Sequence, residues 1–185
     1  NPNLPSGIST ANYSSGQSGN NNIIASNIKL TDGGLINTSN LGQGDSGNLN
    51  INVSGTIELS GVDSKIFSPS NIGSTVFREG NGGTVNLNTS RLTVQGGASI
   101  NTASLNSGNA GTITIDASES VEVRGRSPNG ELNSNISSSA TIFPEVFRQR
   151  AGLPDVPSGN AGSLTINTPK LQIDNLGRVS VDNEG

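Results

Sequence analysis

Any chemistry in this sequence has to start from carboxylates. There is no His and no Cys among the 185 residues. The common neutral-pH general base, the commonest transition-metal ligand and the thiolate nucleophile are therefore all absent. Glu58 and Glu122 stand at equivalent places in two apolar alternations, and Thr93 occupies the matching place between them. On stacked parallel strands, with one strand between them, the two carboxyls would lie two strand spacings apart, about 9.6 Å. That is at the edge of the separation used by an acid and a base in inverting glycoside hydrolysis. No neighbour sets the two carboxyls apart as acid and base, and Lys29 is placed to pair with Glu58 for about 0–1 kcal/mol. The column Lys29, Glu58, Thr93, Glu122 and Gln172 therefore reads as a solvated face. No catalytic residue is assigned, and the chain is not expected to be an enzyme.

Two other groups invite a ligand. Asp116, Glu119 and Glu122 gather beside one turn, where calcium could use their oxygens. Acidic residues are ordinary in turns, and no neighbouring segment repeats the three, so no metal is assigned. The Gly-Asn-Gly-Gly opening at Gly80 and the Gly-Asn-Ala-Gly openings at Gly108 and Gly159 resemble phosphate cradles at first sight. A phosphate loop needs a Lys-Ser/Thr step into a helix, and a calcium nonapeptide needs a regularly repeated Asp. Neither is present, so these glycines are read as corners and no cofactor is expected.

The elements that would position these residues follow from a repeat. Its anchors are Gly19, Gly44, Gly80, Gly108 and Gly159. Each leads into an alternating run, such as Leu49 and Ile51, or Ile113 and Ile115. A second run follows, such as Ile57 and Leu59, or Val121 and Val123. A third, shorter run centres on Ile36, Ile66, Ile100, Ile136 and Val179. Alternation with period two means strands with one face inward. Gly, Asn and Ser number 25, 26 and 28, a density that opposes helix and favours turns. The expected fold is all-β, a parallel β-helix of about five coils with three short strands each. One unit could not bury its own apolar residues, so the stack would be the stable object. Asn81, Asn109 and Asn160 would form one column of stacked amides.

The spacing of the anchors places extra chain on alternate coils. The largest insert spans residues 126–158 and includes the least repeat-like stretch, Ile142 to Arg150. Phe143, Phe147, Arg148 and Arg150 are the candidate contact surface; the other reading is a short helix packed over a corner. The chain is expected to form a single unit over 1–185, a segment of something longer. Net charge is −4 and the ten basic residues are scattered, so nucleic acid is not an expected partner. No apolar run approaches eighteen residues, so no membrane-spanning helix is expected.

The units GNAGTITIDASESVEVRG, GNGGTVNLNTSRLTVQGGASINT and GNAGSLTINTPKLQIDNLGRVSV resemble the repeats of filamentous-haemagglutinin-like exoproteins, especially the cyanobacterial ones. The resemblance runs from about Ile8 to the end. It implies a right-handed parallel β-helix, exported by two-partner secretion through an outer-membrane barrel transporter and secreted or held at the outer cell surface. It also implies a role in adhesion, with cell-surface or polysaccharide ligands, and it carries over no catalytic residues. The tetrapeptide Asn1-Pro2-Asn3-Leu4 is similar to a secretion-domain motif of that family and is set aside as coincidence. Two other readings stand beside this one. A polysaccharide-binding or polysaccharide-degrading β-helix wants clustered charge on one face. An ice-binding solenoid wants unbroken Thr columns, and Asn50 and Asn86 interrupt the column of Thr114 and Thr165.

Overall fold

The computed structural model describes residues 5–185, so the Asn1–Leu4 motif lies outside the described residues. The chain is all-β with parallel sheets and one short helix. The first strands are β1 (Gly7–Asn12), β2 (Asn21–Ala25), β3 (Ile28–Thr31) and β4 (Leu35–Asn40). Next come β5 (Leu49–Val53), β6 (Thr56–Ser60), the short pair β7 (Val62–Asp63) and β8 (Ser68–Pro69), and β9 (Asn71–Val76). Two long strands, β10 (Val85–Gln95) and β12 (Thr112–Arg124), flank β11 (Ser99–Ser104). The chain then passes through β13 (Asn135–Ala140), helix α1 (Glu145–Ala151), β14 (Ser163–Asn167), β15 (Leu171–Asp174) and β16 (Arg178–Asn183).

Each unit of the repeat adds a strand to each of the same two sheets. The first sheet has the order β1-β4-β9-β11-β13-β16, and every pair in it is parallel. Ile8, Ile36, Ile72, Ile100, Ile136 and Val179 fall in one row across it. The second sheet pairs β2, β5, β10, β12 and β14 along one half, and β3, β6, β10, β12 and β15 along the other. Its inward rows are Ile23, Ile51, Leu87, Ile115 and Ile166, then Ile28, Ile57, Leu92, Val121 and Leu171. Apart from Ile8 and Leu171, which are exposed in the outermost units, these inward residues form one cluster. Each of its fully buried Ile, Leu and Val side chains contributes about 1.5–3 kcal/mol. Parallel strands joined by crossover helices are covered on both faces and read as continuous apolar runs. Here the alternation leaves the outer face polar, because each strand returns through the other sheet.

Glycine sets the distance of approach between units. Gly16, Gly44, Gly80, Gly108 and Gly159 form one column. A Cβ on any of the last four would overlap the carbonyl oxygen of the glycine before it in the column. A second column, three residues on, runs through Gly19, Gly47, Gly83, Gly111 and Gly162 with the same overlap. The first unit is therefore anchored at Gly16 rather than Gly19, because Gly19 matches Gly47 and not Gly44. Successive anchors are then 28, 36, 28 and 51 residues apart. Between the two columns runs the expected amide ladder. The backbone N–H of Asn109 donates to Asn81 Oδ1 (3.1 Å) and that of Asn160 to Asn109 Oδ1 (3.1 Å). Asp45 begins the ladder, accepting from the backbone N–H of Asn81 at 2.7 Å.

Two further expectations are corrected. Ile72, not Ile66, fills the row of the first sheet, because the extra chain of that unit precedes its strand instead of following it. It forms the antiparallel pair β7–β8. The insert over 126–158 keeps the third run expected at Ile136. Strand β13 passes through it with Ile136 fully buried, leaving a hairpin closed by the Arg126–Asn133 bridge on one side and α1 on the other. Finally, the first and second runs do not always form separate strands. At Ser26-Asn27, Ser54-Gly55 and Pro169 the ladder breaks, whereas at Thr89-Ser90 and Ala117-Ser118-Glu119 it does not. There the strand runs on, bending where the register slips between Thr89 and Arg91.

The hairpins also explain why long and short units alternate. A Cβ at Gly33, in the short unit before β7–β8, would stand 2.7 Å from Asp63 Cβ. A Cβ at Gly97, in the next short unit, would stand 2.9 Å from Ser127 Cβ and 3.0 Å from Val62 Cγ2. A side chain at either glycine would crowd the hairpin beside it, so these turns are bare.

Candidate functional site

The second sheet places Lys29, Glu58, Thr93, Glu122 and Gln172 in one outward column, in the expected register. Lys29 Nζ lies 3.4 Å from Glu58 Oε2, and both side chains are exposed enough that the pair is worth at most about 1 kcal/mol. Glu122 meets Arg124 at 2.9 Å, and Arg124 also donates to Gln95 Oε1 at 3.1 and 3.0 Å. Glu58 and Glu122 are thus each held by a cation, with Thr93 between them. Asp116, Glu119 and Glu122 take separate partners: Asn167 donates to Asp116 at 2.7 Å and Arg91 meets Glu119 at 2.7 Å. Among the described residues no group of three or more carboxylates could hold a metal ion.

Phe143, Phe147, Arg148 and Arg150 lie on and just before α1, which starts after Pro144 and ends at Gly152 in the left-handed conformation. No residue of the helix is buried. Its Phe147 ring lies 5.1 Å from that of Phe143 and 6.3 Å from that of Phe77, which follows β9. Arg78 donates to the Ala151 carbonyl at 3.3 Å, so the helix leans back over a unit two repeats earlier. Arg148 turns inward to Asp155, donating to its carbonyl oxygen at 2.8 Å. Arg150 stays exposed, with Val146 and part of Phe147 beside it. The four residues are therefore divided: Phe143 and Phe147 join Phe77 in a ring cluster, Arg148 ties the helix to the loop after it, and Arg150 faces solvent.

Two hollows that the sequence did not suggest lie beside the hairpins. A polar trench of about 280 Å³ runs over the outer face of β11, β13 and β16. Its floor carries Asn135, Ser137 and Ser139 beside Arg178, Ser180 and Asp182, matched pair by pair across the ladder. Arg178 meets Asp182 at 2.8 Å, and Glu184 accepts from Thr141 Oγ1 and the Ile142 N–H at 3.0 and 2.7 Å. Glu131, Leu132 and Asn133 of the second hairpin form one wall. The smaller hollow, about 120 Å³, is lined by Val62, Ser64, Phe67, Ser127, Pro128 and Asn129. Phe67 is 61% exposed and has φ 52°, a rare conformation for so bulky a residue. The outward residues of NISSSA and RVSVDN are all polar and fall in register across the trench floor.

Comparison of the chain with protein-family models, with curated proteins and with solved structures finds no match. Among the described residues no helix is long and apolar enough to cross a membrane.

A buried row of hydroxyls joins these faces to the glycine columns. Thr38 Oγ1 donates to Gly47 O at 2.7 Å, and Thr102 Oγ1 and Ser138 Oγ both donate to Gly111 O at 2.8 Å. Gly83 N–H donates in turn to Ser74 Oγ at 2.9 Å. All four hydroxyl residues are fully buried, so the corner peptides have partners where water has no access.

Proposed function

We propose that the chain is part of a right-handed parallel β-helix and that it serves an exported bacterial exoprotein as a rigid stalk with a lateral contact surface. The observation that supports this reading is the register. Each strand pairs in parallel with its counterpart one unit away, through five successive steps of the first sheet. A rod built this way is stiff, since each unit is hydrogen-bonded to the next along both sheets. It would suit a protein of the filamentous-haemagglutinin type, delivered unfolded through an outer-membrane transporter and folding outside the cell. Its contacts would be many and individually weak, with affinity coming from multivalency. The trench over β11, β13 and β16 favours a polysaccharide as the ligand, because hydroxyls, amides, carboxylates and one guanidinium line it together.

The function is tested by immobilising the chain and probing a glycan array, with a parallel screen for hydrolase and lyase cleavage of polysaccharides. Retention of a polysaccharide without turnover supports the reading. Turnover of any polysaccharide overturns the stalk role in favour of an enzyme. Loss of retention in Arg178→Ala, with unchanged folding, would place the ligand in the trench.

A further inference from the structure

The chain contains two Asn-Gly steps, Asn81-Gly82 and Asn129-Gly130, and they stand in opposite surroundings. We propose that Asn129 is a site of spontaneous deamidation and isoaspartate formation that remodels the wall of the trench, whereas Asn81 is protected by its bonds to the neighbouring units. The reaction needs no oxidant and no enzyme. The Gly130 backbone nitrogen loses its proton to a solvent base and attacks Asn129 Cγ. The Cγ–Nδ2 bond breaks, Nδ2 takes a proton from water and leaves as ammonia, and a succinimide remains. Water then opens the ring at either carbonyl to give aspartate or isoaspartate.

The hairpin favours this chemistry. Asn129 is exposed, and its Oδ1 accepts from Ser127 Oγ and from the Glu131 backbone N–H (3.3 Å), which draw electron density away from Cγ. Gly130 has no Cβ to shield its nitrogen. Its N–H is held only within its own turn, by Ser127 O at 2.8 Å. A turn of this kind opens by itself, without disturbing the sheets. Asn81 is held from both sides. Its backbone N–H donates to Asp45 Oδ1 at 2.7 Å, and its Oδ1 accepts from the Asn109 N–H at 3.1 Å. The attacking nitrogen of Gly82 donates to Asn109 O at 2.8 Å. Forming the imide there requires the units on either side to part.

The product changes the hairpin. Asn129 Nδ2 donates to Glu131 Oε2 at 2.8 Å, and deamidation replaces that donor with a second carboxylate facing the first. Glu131 belongs to the trench wall, so the wall is pushed apart as the protein ages.

The test is a time course of the folded chain at mildly alkaline pH, followed by proteolysis and mass-spectrometric peptide mapping, with a parallel course in denaturant. In the folded chain Asn129 is expected to convert about tenfold or more faster than Asn81, the ratio following from local against inter-unit opening. In denaturant the two rates should converge, since both are then plain Asn-Gly steps. Comparable rates in the folded chain overturn the proposal, and so does a rate ratio that persists unchanged in denaturant.

Discussion

Replacing Ile115 by Asp, with Thr114→Asp as its partner, tests the register on which every other inference rests. Ile115 is fully buried between Leu87 and Ile166 in the ladder of the second sheet, while Thr114 beside it faces outward between Asn86 and Thr165. Ile115→Asp forfeits about 1.5–3 kcal/mol of apolar burial. Placing even the neutral, protonated carboxyl there without a partner costs roughly 1–3 kcal/mol more. The sum, about 2.5–6 kcal/mol, reaches the lower end of the whole stability of an ordinary domain. Thr114→Asp at an outward site should stay within about 0.5 kcal/mol. The chain has one Tyr and no Trp, so the assay is urea unfolding followed by far-ultraviolet circular dichroism. With a slope of about 2 kcal/mol per molar urea, Ile115→Asp should lower the midpoint by roughly 2 M, or leave the chain unfolded in water. A midpoint equal to that of the wild type would refute the reasoning. So would an equal loss in Thr114→Asp, because a one-residue slip exchanges the two faces.

The glycine columns predict a contrast. Gly111→Ala drives a Cβ into the Gly83 carbonyl and should destabilise several-fold more than Gly152→Ala, which meets nothing within 4 Å and costs about 1 kcal/mol for its left-handed φ. Equal midpoints for the two would count against close stacking of the units. Thr102→Val removes a buried hydroxyl that lies 2.8 Å from Gly111 O and 2.9 Å from Ser138 Oγ, and should cost about 1–3 kcal/mol by the same urea assay. Phe147→Ala should leave the urea midpoint nearly unchanged, since α1 is not buried. It should nevertheless speed tryptic cleavage after Arg148 and Arg150, because the rings of Phe77 and Phe143 lose their partner. Lys29→Ala should change stability by no more than about 1 kcal/mol, the ordinary worth of an exposed ion pair.

The parts of the site that were legible in the sequence are those set by period and column. The Lys29–Glu58 pair, the place of Thr93 between two glutamates and the Asn81–Asn109–Asn160 ladder all follow from counting residues between equivalent strands. The trench was not legible. Its floor sets Arg178 and Asp182 among Asn135, Ser137, Ser139 and Ser180, types common throughout the chain, and its wall comes from a hairpin whose fold depends on what it packs against. The inward turn of Arg148 was hidden for the same reason. Its partner Asp155 lies seven residues on, in a loop without a period.

The misplacement of Ile66 shows where sequence reasoning meets its limit. Ile66 and Ile72 both stand in polar surroundings with suitable neighbours, and local pattern does not choose between them. The choice is made by the row of Ile36, Ile100 and Ile136, which only one of them can join without breaking the ladder. Strand character, the inward face of each run and the need for bare corners were determined by the sequence alone, because they depend on residue type and on a period of two. Which residues stand beside one another, where the extra chain folds and what it leaves open were decided by tertiary structure. Those outcomes depend on the spacing between units, and a chain read in one dimension does not contain that distance.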